Sequence, residues 1–223
     1  MVDRILREEK IERHSKSDRL THWLVVLSTF VLIFTGIGQM PVYKRYMVDQ
    51  LPGLNWSSDY AVTVVLHYGA AMILVFAAIF HLIHLVGKKD FSLIPRQGDF
   101  RESFIIIAAM LGKGEEPKND KFLAEQRLAY AYMFLNFTII IITGLIKVAK
   151  NIPGIQVSYS VLNWSTHLHN LAMVLLILGI VAHLMAFIFK SNRPLFLSIF
   201  TGKVDADYAK RRHSLWYHRL LDR

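Results

Sequence analysis

Four long apolar segments, separated by polar ones, dominate the pattern of hydrophobic and polar positions along the chain. The segments run over about 20–40, 60–86, 128–146 and 162–189. Each is close to the roughly 20 residues that a membrane-spanning helix needs. No Asp, Glu, Lys or Arg interrupts the chain between Lys150 and Lys190. The pattern therefore predicts an all-α membrane protein, a bundle of four transmembrane helices.

Lysine and arginine are unevenly distributed among the polar segments. Six precede the first span, eight lie between the second and third, eight follow the fourth, and the other two loops carry two each. Because cytoplasmic segments carry the excess of these cations, both termini are predicted to be cytoplasmic. We expect an N-terminal segment over residues 1–19, a transmembrane domain over residues 20–189 and a basic tail over residues 190–223.

Histidines recur at one spacing inside the second and fourth spans. His67 and His81 are fourteen residues apart, and so are His169 and His183. Fourteen helical residues separate two side chains by about 21 Å and return them to within about 40° of one face. Ionisable residues inside a bilayer are costly and usually face a functional interior. The spacing therefore favours two haem-iron sites at different depths over hydrogen-bonded core histidines.

The first and third spans also repeat each other. Arg19-Leu20 precedes Thr35-Gly36 by the same sixteen residues that separate Arg127-Leu128 from Thr143-Gly144. This repeat indicates a duplicated two-helix unit.

In such a duplicated unit, two spans that run the same way carry histidines at matching depths. His67 and His169 form the natural outer pair, because both come early in their spans. His183 is the common ligand at the inner depth, and position alone leaves both His22 and His81 open as its partner.

Composition narrows the class of protein and the kinds of cofactor that the chain can hold. The chain has 223 residues, of which 53% are hydrophobic and 19% charged, as in a polytopic membrane protein. It has no cysteine, which excludes iron-sulfur clusters and covalent c-type haem within the chain. The chain has a net charge of +9, and its basic residues lie between the apolar segments. We therefore expect these residues to meet the lipid bilayer and not nucleic acid.

Several short motifs together carry a resemblance to a known family. They are Arg19-Leu20-Thr21-His22-Trp23, Leu66-His67, His169-Asn170-Leu171-Ala172, His183 and Tyr208-Ala209-Lys210-Arg211-Arg212-His213-Ser214-Leu215-Trp216-Tyr217. With these motifs almost the whole chain resembles the cytochrome b (gamma) subunit of membrane-bound formate dehydrogenases, in the wider di-haem cytochrome b family of respiratory complexes. The resemblance implies a multi-pass protein of the prokaryotic cytoplasmic (inner) membrane that holds two b haems.

Carried over residue by residue, the resemblance implies that His67 and His169 bind the iron of the outer haem. It also implies His22 with His183 for the inner haem. An arrangement with His81 in place of His22 would resemble the cytochrome b of quinol:cytochrome c oxidoreductases.

The resemblance further implies an electron-transfer subunit between an iron-sulfur partner subunit and membrane quinone, menaquinone or ubiquinone. The chain shows no nucleotide motif, cysteine cluster or acid-base pair, so we assign it no catalytic residue and expect a separate catalytic subunit. Any enzymatic step in this chain would be quinone reduction. Two alternatives keep the haems: a cytochrome b subunit of a hydrogenase or a sulfur-compound reductase, and a stand-alone quinone-reactive b-type cytochrome.

Two stretches depart from the family pattern. Before the third span, near its quinone pocket, the family tends to carry Asn-x-Gly-Gln followed by a basic residue, where this chain reads Leu123-Ala124-Glu125-Gln126-Arg127. In the tail, Tyr208, Arg212 and Ser214 replace the usual Trp, His and Pro.

The tail also combines basic and aromatic residues. Because Trp216 and Tyr217 interrupt its basic cluster, we expect residues 203–223 to dock a partner subunit. We expect His213 to be solvated or at a partner contact.

Overall fold

The computed structural model describes residues 9–222. Residues 1–8 of the predicted N-terminal segment and Arg223 of the predicted tail lie outside this range. Within it the chain forms nine α-helices and two short strands. The helices are α1 Lys16–Gly38, α2 Pro41–Arg45, α3 Tyr60–Lys88, α4 Asp99–Met110, α5 Ala124–Ala149, α6 Tyr159–Met185, α7 Arg193–Thr201, α8 Ala206–Arg212 and α9 Ser214–Leu221. The strands are β1 Lys10–Glu12 and β2 Lys203–Asp205.

Helices α1, α3, α5 and α6 are long and apolar enough to cross a membrane. This confirms the four predicted spans, although three of the helices begin earlier than the hydropathy pattern indicates. α1 begins at Lys16, α5 at Ala124 and α6 at Tyr159. The difference arises because the first turns of these helices are partly polar, and an apolar pattern marks only the part of a helix that is suited to lipid.

Polar side chains cap two of the spans. The Asp59 carboxylate accepts hydrogen bonds from the backbone N–H groups of Ala61 and Val62 at the start of α3. The Ser158 hydroxyl accepts one from Val161 N at the start of α6. These caps satisfy backbone donors that the first helical turn leaves unpaired, so they fix where the two helices begin.

The described chain divides into two units. The first unit is residues 16–89, in which α1 packs against α3. The second unit is residues 9–15 together with residues 90–222, in which α5 packs against α6 and α4 packs against α5. We call α1 with α3 the first helix pair and α5 with α6 the second helix pair.

Small residues at seven-residue intervals lie where the helices of each pair pack. In α3 they are the buried Thr63, Ala70 and Ala77. In α6 they are Ser165, Ala172 and Gly179, each 102 residues after its counterpart in α3. Small residues allow two helices to approach closely: a Cβ atom at Gly179 would lie 2.7 Å from Tyr132 Cε1. The duplication predicted from the histidine spacing therefore extends to the packed faces.

A small folded layer, which we call the terminal cap, consists of residues 9–15, 116–123 and 190–222 of the second unit. β1 and β2 pair antiparallel, with Ile11 opposite Val204. The buried apolar core of the terminal cap is formed by Ile11, Val204, Tyr208, Ala209, Trp216 and Tyr217. The cap thus joins the segment before the first span to the segment after the last.

Arg13 is buried inside the terminal cap. Its Nη2 donates a hydrogen bond to Lys121 O at 2.6 Å. The guanidinium also lies over the rings of Phe122 and Trp216, at 5.2 and 5.6 Å from their centroids. Burial lowers the pKa of Arg13 to about 10, so the side chain stays charged at neutral pH, with aromatic faces as its partners.

The tail is packed into the terminal cap by its own side chains. Trp216 and Tyr217 are each 7% exposed. The two aromatic side chains from which docking was predicted therefore pack against other residues of this chain. Arg212 is buried, and it donates hydrogen bonds to Glu116 at 3.0 Å and to Asn192 at 2.7 Å. Arg212, one of the residues that depart from the family pattern, therefore forms an ion pair with the partly exposed Glu116 inside the terminal cap.

The prediction that His213 is solvated or at a partner contact is wrong. His213 is fully buried, and its Nδ1–H donates a hydrogen bond to Asp120 O at 2.8 Å. Desolvation by burial, helped by the nearby charges of Arg13 and Arg212, lowers its pKa to about 2. The imidazole is therefore a neutral core group of the terminal cap.

The amphipathic helix α4 is fastened to the start of α5 by a buried ion pair. Arg127 donates to both carboxylate oxygens of Asp99, with 2.7 Å between Nε and Oδ2, and its Nη1 donates to Phe122 O. Gln126 Oε1 accepts a hydrogen bond from Leu123 N at 3.3 Å. Two residues of the stretch that departs from the family pattern thus have structural roles here.

Candidate functional site

A threonine hydroxyl of α1 holds His67 in the first helix pair. The distance between Thr35 Oγ1 and His67 Nδ1 is 2.8 Å. The same hydroxyl donates its one proton to Val31 O, four residues earlier in α1, at 2.7 Å. Thr35 Oγ1 is therefore the acceptor in the contact with His67, and this network assigns the imidazole proton to Nδ1.

The second helix pair repeats this arrangement. Thr143 Oγ1 lies 2.9 Å from His169 Nδ1 and donates its proton to Ile139 O at 2.7 Å. A Cβ atom at Gly144 would lie 3.5 Å from His169 Cε1, so the glycine after the threonine leaves room for the ring. His169 is thus also assigned the tautomer with its proton on Nδ1.

The assigned tautomer places the imidazole proton of both histidines on Nδ1 and none on Nε2. A neutral imidazole whose other nitrogen is held by a hydrogen bond is the usual form of a histidine metal ligand. The sequence repeat had marked Thr35-Gly36 and Thr143-Gly144 only as signs of duplication. Their role as histidine partners was missed, although their matched position in the two units was a usable signal.

The other histidines of the first unit lie at the opposite end of its helix pair. His84 Nε2 is 3.3 Å from Asp18 Oδ1, and His22 meets the Trp23 ring edge-on at 5.6 Å between centroids. The Asp18 and Thr35 contacts show that α1 and α3 run antiparallel, and the two residues are about 25 Å apart along α1. His67 is therefore separated in depth from His22 and His81, as the spacing predicts.

His183 lies near the end of α6, fourteen residues after His169. Its ring meets Phe187 edge-on at 5.8 Å, and Phe187 meets Phe196 of α7 in the same way at 5.3 Å. The four predicted ligands are thus divided between the units: His22 and His67 belong to the first, and His169 and His183 to the second. Each predicted pair takes one histidine from each unit, and both pairings stay predictions.

Comparison with known proteins identifies the family. The model of the family described as prokaryotic cytochrome b561 matches residues 13–202. The chain belongs to this family. It is therefore a membrane protein of the b-type cytochrome class, which serves electron transfer, and haem b is the cofactor that the family implies.

Individual relatives of this cytochrome b561 family member confirm the resemblance given by the motifs. The chain is 25% identical over 218 residues to the formate dehydrogenase cytochrome b556 subunit of Haemophilus influenzae, covering 96% of this chain and 84% of the relative. It is also 25% identical over 224 residues to the nitrate-inducible formate dehydrogenase cytochrome b556(Fdn) subunit of Escherichia coli K12, covering 96% of this chain and 93% of the relative.

The histidines of this cytochrome fit a haem better than a bare metal ion. Across residues 9–222, no three His, Cys, Asp or Glu side chains come together as a ligand set for a bare ion. A haem brings four equatorial nitrogens of its own and needs only axial ligands from the protein. Histidines that are held at Nδ1 and carry their proton there meet that need.

Proposed function

We propose that this cytochrome holds two b haems and carries electrons between an iron-sulfur partner subunit and membrane quinone. The observation that carries the proposal is the repeated Thr–His contact, at 2.8 Å in one unit and 2.9 Å in the other. It prepares one histidine in each unit as an iron ligand. A bound haem would supply reversible one-electron chemistry at its iron.

The ligand assignment pairs histidines by depth. His67 with His169 would hold the outer haem, and His22 with His183 the inner haem. The matched threonine contacts support the outer pair, and the Arg-Leu-Thr-His-Trp motif around His22 supports the inner one. His81 is the competing inner ligand.

The partners follow from what this chain lacks and from the names of its relatives. Both relatives described above are named as subunits of formate dehydrogenase. The sequence offers no group for oxidising a two-electron substrate, so a separate catalytic subunit with an iron-sulfur relay would deliver the electrons. Quinone, menaquinone or ubiquinone, would accept them.

We place both termini on the cytoplasmic side of a prokaryotic inner membrane, because lysine and arginine are concentrated in the segments on that side. His67 and His169 then lie in the outer half of the bilayer. Electrons that enter at the outer haem and leave at the inner one move toward the negative side. That step costs about 2.3 kcal/mol per 100 mV for a full crossing.

Haem content and ligand variants test the proposal. The purified chain should yield two equivalents of protohaem by pyridine haemochrome. His67→Ala or His169→Ala should remove the outer haem and leave the inner one, because either change leaves the outer iron with one axial ligand. His167→Ala is the matched control, since this exposed histidine lies on the same helix. Loss of both haems from a folded His67→Ala chain would refute the pairing.

The inner haem needs its own comparison. His22→Ala should abolish its spectrum and quinone reduction, whereas His81→Ala should leave both haems bound. The reverse result would assign the inner ligand to His81.

A further inference from the structure

We propose that Thr35 and Thr143 are positioning residues for the outer haem. Each fixes the tautomer and the orientation of one axial histidine. The two threonines together therefore set the midpoint potential of the outer haem and the affinity of the protein for that haem. The inference deepens the proposed function and rests on its outer ligand pair.

The proton of each threonine hydroxyl decides which histidine nitrogen carries a hydrogen. A hydroxyl has one proton, and in both threonines that proton is directed to the carbonyl four residues earlier, at 2.7 Å in each case. What remains toward the neighbouring helix is a lone pair, which can only accept. Both histidines must therefore present an N–H at Nδ1, and Nε2 is left without a proton.

Burial makes these contacts hard to replace. Thr35 is 1% exposed and Thr143 is 4% exposed, so no bulk water is at hand to supply another acceptor for the imidazole N–H. A buried donor without an acceptor costs about 1–3 kcal/mol. The ring orientation that keeps Nδ1 on the threonine is therefore preferred to a flipped one.

The side-chain type also matters. Threonine has a branched Cβ, which restricts its χ1 rotamer in a helix, and its hydroxyl is one that readily bonds a preceding carbonyl. Its acceptor lone pair is thus aimed across the helix contact before any ligand binds. An unbranched serine can reach the same geometry but has more rotamer freedom.

The hydrogen bond acts on iron through the imidazole. Donation from Nδ1–H to an oxygen makes the ring a better electron donor at Nε2, and such partners raise the basicity of a ligating histidine. A more basic axial ligand stabilises ferric iron relative to ferrous iron. Loss of either threonine hydroxyl should therefore raise the midpoint potential of the outer haem.

Isosteric variants test this role in the full chain. Thr35→Val and Thr143→Val keep the side-chain shape and remove the hydroxyl, which is both the acceptor toward the histidine and the donor to the preceding carbonyl. Thr63→Val and Thr138→Val are matched controls, because those hydroxyls also donate to the carbonyl four residues earlier, at 2.8 Å in both cases. Redox titration followed in the haem spectrum gives the potential of each haem. Transfer of haem to an excess of apomyoglobin gives the rate of haem loss.

We expect a positive shift of the outer potential in each Thr→Val variant at position 35 or 143, with the inner potential unchanged. Haem affinity at the outer site should fall about 10-fold. Thr35→Ser should restore most of both properties, because it restores the acceptor. Where a valine variant fails to accumulate, Thr35→Ala compared with Thr35→Ser isolates the hydroxyl in the same way.

An unchanged outer potential in both valine variants would overturn the inference, as would an equal shift in the control variants. Failure of the underlying function gives a different result. In that case His67→Ala and His169→Ala would retain the outer haem, whatever the threonine variants do.

Discussion

A buried pair of opposite charges holds α4 against α5 of the second helix pair. Asp99 and Arg127 have side chains that are only 4% and 5% exposed, and they share two hydrogen bonds. Hydrogen bonding to Arg127 lowers the pKa of Asp99. The carboxylate is therefore ionised at all but strongly acidic pH, and the guanidinium depends on it for charge balance.

Asp99→Asn should lower the free energy of unfolding by up to about 3–5 kcal/mol, because it removes the carboxylate that pairs most closely with the buried Arg127 and leaves only Glu102, at 3.9 Å. Thermal unfolding of the detergent-solubilised protein measures the loss. Asp90→Asn is the control, since that carboxylate is 49% exposed and lies 3.9 Å from Lys121. Equal stability of the two variants would show that the ion pair contributes nothing to folding.

The terminal cap should lose stability as the pH falls below about 6.5. Burial lowers the pKa of His213 from 6.5 to about 2. Between these two pH values the unfolded chain therefore binds a proton at this histidine and the folded chain does not. The contribution of the neutral His213 to the free energy of unfolding is present in full above pH 6.5. It is lost progressively between pH 6.5 and pH 2, by about 1.4 kcal/mol per pH unit. Asp99 adds to the loss only at more acidic pH, through its own lowered pKa.

Unfolding of the cap at a series of pH values between 7.5 and 4.5, followed by tryptophan fluorescence, measures this dependence. His213→Gln should flatten the slope in this range, although the variant itself is less stable. His218→Gln, at an exposed position of α9, should keep the slope of the parent chain. Equal slopes for the parent chain and for His213→Gln would show that His213 does not carry this dependence.

At the residue scale, the sequence drew attention to the histidines and missed their hydrogen-bond partners. Periodicity and resemblance singled out His67 and His169, because imidazole in an apolar span is conspicuous. Thr35 and Thr143 were visible as a repeat, but a threonine in a span is common, and its pairing across helices depends on packing. His213 was misjudged because a charged neighbourhood in sequence does not reveal that the side chain is enclosed.

Helix contacts in both pairs depend on residues with little or no side chain. A Cβ atom at Gly38 would lie 2.4 Å from the backbone oxygen of Ser57, whereas one at Gly87 would meet nothing within 4 Å. The first position is therefore a close approach of two backbone segments, and the second is open space.

Gly38→Ala should destabilise the first helix pair by about 1–3 kcal/mol, because the added methyl group forces the backbone near Ser57 to move. Gly87→Ala should be neutral or slightly stabilising, since alanine is the better helix former. The midpoint of thermal unfolding, followed by circular dichroism, distinguishes the two variants. A Gly38→Ala chain as stable as the parent would show that the loop near Ser57 adjusts freely.

At the element scale, the sequence predicted the four long helices. It predicted the residues at which they begin less accurately. Apolar length is a local property, so α1, α3, α5 and α6 could be found from it. The strands β1 and β2 have three residues each, and they pair only because the two ends of the chain meet. No local pattern in such short segments specifies a partner so far away in sequence. The tail was therefore predicted to dock a partner subunit, and its pairing with the segment before the first span was missed.

For the whole molecule, the predicted orientation can be tested with little background, since the chain contains no cysteine. Lys113→Cys and Gln156→Cys place one thiol each at an exposed position, one after α4 and the other before α6. A membrane-impermeant maleimide added to intact spheroplasts should label the chain with Gln156→Cys. It should label the chain with Lys113→Cys only after the membrane is opened, because the basic segments are predicted to lie inside. The opposite pattern would invert the topology.

The pairing of β1 with β2 has a consequence for biosynthesis. Residues 10–12 are synthesised before the first span, whereas their partners at 203–205 are synthesised after the fourth. All four spans are therefore made before the first strand can be paired, and the layer built on that strand can close only after the fourth span. A chain that stalls or is cut short can still contain every membrane helix and yet lack this closure. Cellular proteases would then find the exposed ends of the unfinished molecule.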